Sequence, residues 1–102
     1  MSSIMITRKG EMLEISVKIV HATEDGQRRD SKSGKFVPEN FVQQIVLKVD
    51  DRPVADFNLG ANLPDHPRVS VKMRNVVKGN VLVAEWLDSS GKKGRVERKV
   101  DV

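Results

Sequence analysis

Short runs in which apolar and polar residues alternate with a period of two dominate this sequence and limit what it can fold into. From Met12 to Val20, Leu13, Ile15, Val17 and Ile19 fall on one side, while Glu14, Ser16 and Lys18 fall on the other. A strand with one buried face requires that pattern, whereas a helix would scatter the same residues around its axis. The alternation returns in Phe41 to Val49, Val54 to Leu59, Arg68 to Arg74, Gly79 to Leu87 and Gly94 to Val100, mostly rich in valine. A shorter run, Ile4 to Thr7, is set off by Arg8-Lys9-Gly10-Glu11, where glycine supplies the turn. Turn-forming residues separate the other runs: Asp50-Asp51-Arg52-Pro53, Gly60 to Pro67, and Asp88 to Gly94. Seven short strands without an amphipathic helix predict an all-β fold, an immunoglobulin-like antiparallel β-sandwich forming a single domain over residues 1–102.

Composition narrows the functions open to such a fold. The chain has 102 residues, enough for one hydrophobic core. It has no cysteine, so this subunit offers no disulfide frame, thiol nucleophile or thiolate metal site. No apolar run approaches the roughly 20 residues a spanning helix needs. The charges of the N-terminal segment follow its short apolar stretch, the reverse of a secretory signal. The net charge of +4 is spread over many positions and suits an anionic partner, whether nucleic acid, an acidic protein face or a small anion.

Two strands depart from clean alternation. In the sixth run Leu82, Ala84 and Trp86 form one apolar face, yet Val81 and Val83 make the opposite face apolar too. In the third run Phe41, Ile45, Leu47 and Val49 share one face, and Val42 and Val46 occupy the other. A sandwich sheet has one core face and one wet face, so strands apolar on both sides call for cover from another protein. Val42, Val46, Val81 and Val83 are therefore candidate partner-interface residues, against the plain alternative that single exposed valines need no explanation.

Catalytic and cofactor signals are thin. His21 shares the parity of Leu13 through Ile19, which aims its ring at the core edge or the neighbouring loops. The only other histidine, His66, lies in a proline-bounded loop, and two histidines without a third ligand make a poor metal set. Serine, histidine and aspartate all occur, but none in a glycine-flanked elbow, and no phosphate-binding glycine loop is present. The expectation is a non-enzymatic chain with no cofactor. The densest charge runs from Thr23 to Lys35 in a long loop after the second strand. Nucleic-acid binding would interleave such bases with stacking aromatics, whereas Trp86, Phe41 and Phe57 read as core. A basic β-domain for nucleic acid or another acidic partner remains the alternative function.

The same loop carries a resemblance. His21-Ala22-Thr23-Glu24-Asp25-Gly26-Gln27-Arg28-Arg29-Asp30, followed by Gly34-Lys35-Phe36-Val37-Pro38 and Phe41, resembles the loop of the SoxZ family, in which a histidine leads into a Gly-x-Arg-x-Asp segment and a glycine turn. Lys9-Gly10-Glu11, Ala55-Asp56 and Leu82 to Trp86 fit as well, so the likeness runs in order along nearly the whole chain. Ala22 stands where the family usually has proline, and His66-Pro67 where it has Asn-Pro. The resemblance implies the non-catalytic subunit of a heterodimeric sulfur carrier, scaffolding a SoxY-like partner whose C-terminal cysteine carries intermediates of thiosulfate oxidation. Other sulfur-oxidation enzymes would meet it transiently, with no nucleic acid and no membrane involved. It further implies a periplasmic protein exported on a signal-bearing partner, and it singles out His21, Arg28, Arg29 and Asp30 as a functional loop.

Overall fold

The computed structural model describes residues 1–102. All seven expected strands form: β1 (Ser3–Lys9), β2 (Met12–Lys18), β3 (Val42–Val49), β4 (Arg52–Asn58), β5 (Arg68–Met73), β6 (Val81–Asp88) and β7 (Lys93–Lys99). They make two antiparallel sheets, β1-β2-β5 and β4-β3-β6-β7. This is the immunoglobulin-like sandwich that the alternation predicts. Leu13, Ile15, Val17 and Ile19 from one sheet meet Ile45, Leu47, Val49, Leu82 and Ala84 from the other in a single buried cluster. Consecutive side chains of a strand point to opposite faces, and the register pairs inward residues with inward ones, as in Ile15 with Val71 and Leu47 with Ala84.

The strand ends are pinned by specific polar contacts. Asp50 and Asp51 both take the left-handed backbone (φ 49° and 68°) in the two-residue turn between β3 and β4, the conformation a tight hairpin demands. Asp50 also accepts the Val81 N–H (2.9 Å) and an Asn80 side-chain N–H (2.6 Å), tying that turn to the start of β6. Arg98 reaches across the sandwich edge and donates to the Ile4 carbonyl (3.0 Å), joining β7 to β1.

The register corrects part of the sequence reading. A bulge between Val42 and Gln44 shifts the β3–β6 pairing, and one extra residue reverses the face of everything before it. Val42 consequently points into the core with 0% exposure, and cannot be an outer-face interface residue. Val83 keeps its outward parity but is only 3% exposed. Its cross-strand neighbours Lys48 and Glu97 flank it, and long charged side chains cover apolar surface with their stems. Val46 and Val81 remain half-buried on the outer face of the four-stranded sheet.

The molecule measures 53 × 22 × 20 Å. Strands of this length span about 25 Å, so the loops at the two poles supply the rest. The longest is the 19–41 connection, which leaves one pole as an arm.

Candidate functional site at the loop pole

The β2–β3, β4–β5 and β6–β7 connections gather at one end of the sandwich. The last strand residue of β6, Asp88, is only 4% exposed, the one buried acid of the chain. Its two oxygens have separate partners. Oδ1 accepts the Ser90 hydroxyl (2.6 Å) and the backbone N–H groups of Ser90 (3.0 Å) and Lys92 (2.9 Å), while Oδ2 faces His21 Nε2 at 3.0 Å. An ionised carboxylate can only accept, so Nε2 carries the hydrogen. Burial pushes the Asp88 carboxyl up, but the bonds from Ser90, His21 and the Lys92 amide outweigh it and bring it down to about 2. The imidazole is largely enclosed, and its Nδ1 has no hydrogen-bond partner.

Although histidine, aspartate and serine meet here, the wiring differs from that of a catalytic triad. In a triad the serine hydroxyl bonds the imidazole. Here Ser90 and His21 occupy opposite oxygens of the same carboxylate, so the ring is not placed to take the serine proton. The cluster instead ties the start of the long loop to the end of β6. His66 closes it from the third loop: its Nδ1 accepts the His21 backbone N–H (3.0 Å), and its own N–H donates to the His21 carbonyl (2.9 Å). Asp65 accepts the Thr23 N–H at 2.7 Å. No group of three or more histidine, cysteine, aspartate or glutamate side chains has a metal-binding arrangement.

Beyond His21 the chain runs out and back as a narrow ribbon, bridged at Glu24 with Asn40 and at Arg29 with Phe36. Asp30 forms the tip, donating its N–H to the Lys35 carbonyl and accepting the Lys32 N–H on Oδ1, both at 2.8 Å. Arg28 grips the Glu24 carboxylate through Nε and Nη2 (3.0 and 2.6 Å), a forked pair that holds its guanidinium even more firmly protonated than usual. Arg29 makes no ion pair and lies over the Phe36 ring, 4.6 Å from its centroid. Phe36 is 56% exposed. Of the four loop residues singled out from sequence, Arg28, Arg29 and Asp30 therefore share the arm, and His21 is anchored at its base. Glu24, Phe36, Asp88 and His66 complete the site. Phe36 was legible as the one phenylalanine outside an alternating run, whereas Asp88 gave no signal, because it ends a strand 67 positions from His21.

Fold and site together define an immunoglobulin-like β-sandwich that carries a rigidly based arm, rich in charges of both signs, at one pole. The family described as "Sulphur oxidation protein SoxZ" matches residues 4–99. The chain belongs to that family, and its partners lie within the sulfur-oxidation system. A comparison with curated proteins finds no match.

Proposed function

We propose that this chain is the non-catalytic scaffold of a heterodimeric sulfur carrier, paired with a SoxY-like subunit whose C-terminal cysteine bears the intermediates of thiosulfate oxidation. The observation that carries this reading is the outer face of the four-stranded sheet. Val46 and Leu87 line an open cleft of about 240 Å³ there, with Val81 further along β6. On the core side, Gly94 leaves room for the Trp86 indole, because a Cβ at that position would come within 2.2 Å of it. An apolar strip on a face that should be wet fits a standing protein interface. The chain has no cysteine, so a covalently held sulfur intermediate needs a second subunit.

In this reading the arm serves the partner's sulfur-bearing segment. Sulfur oxyanions and their cysteine adducts are anionic, and Arg29, which lies over the Phe36 ring, presents a guanidinium with no carboxylate partner.

Arg28, held by Glu24, shapes the arm. The protein works in the periplasm and is exported with its signal-bearing partner. Co-expression with the SoxY-like subunit should yield a one-to-one complex in the periplasmic fraction, and this chain alone should release no product from thiosulfate. Recovery of the two subunits as separate monomers would refute the scaffold role.

A further inference from the structure

The outer face of the three-stranded sheet has a different character. The register places Lys9, Lys18, Arg68 and Lys72 there, and Arg74 continues the same parity to reach the Met12 sulfur at 3.3 Å. Glu14 is the one carboxylate among the strand residues of this face, and it pairs with Lys9 at 3.7 Å. Lys18, Arg68, Lys72 and Arg74 form no salt bridge. Lys18 stands directly opposite Arg68 in the β2–β5 register, an arrangement that destabilises a sheet. The other sheet carries two matched pairs, Lys48 with Glu85 and Arg95 with Glu97, beside the unpaired Lys93 and Lys99 at the ends of β7.

We propose that this basic face is a second docking surface, which receives an acidic face of another protein of the sulfur-oxidation system in a transient encounter. Unmatched, directly opposed cations are retained at a cost to the isolated fold, and a complementary anionic surface relieves it. Met5 and the half-buried Met12 are the large apolar side chains on the face, so it lacks the buried anchors of a permanent interface. Its contribution is to steering and association rate. No aromatic side chain stands there to stack on bases, which favours protein over nucleic acid. The inference rests on family membership and on this face alone, and is independent of the scaffold reading, which concerns the opposite sheet.

The test separates stability from association. Lys18→Glu and Arg68→Glu each create an opposed ion pair, and the double variant restores a like-charge pair of the other sign. The probes are the purified sulfur-oxidation proteins encoded with this chain, a DNA duplex and phosphatidylglycerol vesicles, with Lys78→Glu, in the β5–β6 loop, as the equal-charge control. Each single variant is expected to melt at or above the wild-type temperature. Each should nevertheless associate with at least one of the proteins roughly tenfold more slowly at low salt, the difference closing at high salt. The double variant should associate slowest while losing the gain in melting temperature. Wild-type association rates for all the proteins, an equal effect of Lys78→Glu, or a response confined to DNA or vesicles would overturn the proposal.

Discussion

Asp88 shows how one buried side chain can tie two loops together. Its carboxyl lies at about 2, against an ordinary value of 3.8. A depressed carboxylate contributes stability that is fully present above the unfolded value and is lost as pH falls through the folded one. That contribution is roughly 2 kcal/mol. Asp88→Asn should therefore destabilise the chain at neutral pH, and urea titrations should show the gap to wild type shrinking between about pH 4 and pH 2. A gap independent of pH would mean that the charge is not what matters. The parity of His21 was legible in the sequence, since it continues the inward series from Leu13. Its partner was not, because contacts between distant strand ends leave no local pattern.

At the scale of elements, every strand was legible, because a period of two survives even in six-residue runs such as β5. The outer face of β3 was misread at Val42 because a bulge leaves no mark on hydrophobic pattern alone. The face of β6 was read correctly, but the cover over Val83 depends on neighbours in two other strands. The contact between Trp86 and Gly94 joins β6 to β7 and admits a direct check. Gly94→Ala should displace the indole and destabilise the fold by about 1–3 kcal/mol. Trp86 is the only tryptophan, so its fluorescence reports that displacement, and an unchanged spectrum and melting temperature would show that the added methyl is accommodated without moving the indole. In the arm, Arg29→Glu should slow sulfur transfer by the heterodimer at low salt and approach wild type as salt rises. Unchanged turnover at low salt would remove Arg29 from the steering role.

Across the whole molecule the two sheets bury one core between them and present unlike outer faces. The four-stranded sheet has two ion pairs beside an apolar strip, and the three-stranded sheet has four cations without an ion pair, Lys18, Arg68, Lys72 and Arg74. The arm projects from the pole where β2 ends and β3 begins. This division suits a subunit that holds one partner permanently and meets others briefly, and it arises from the residues that alternation leaves outside the core. The most direct measurement is co-purification of the SoxY-like subunit with the Val46→Lys, Val81→Lys double variant. Both positions are half-buried and on the outer face, so the variant should melt close to wild type yet fail to retain the partner. Retention of the partner at wild-type yield would contradict the assignment of this face as the heterodimer interface.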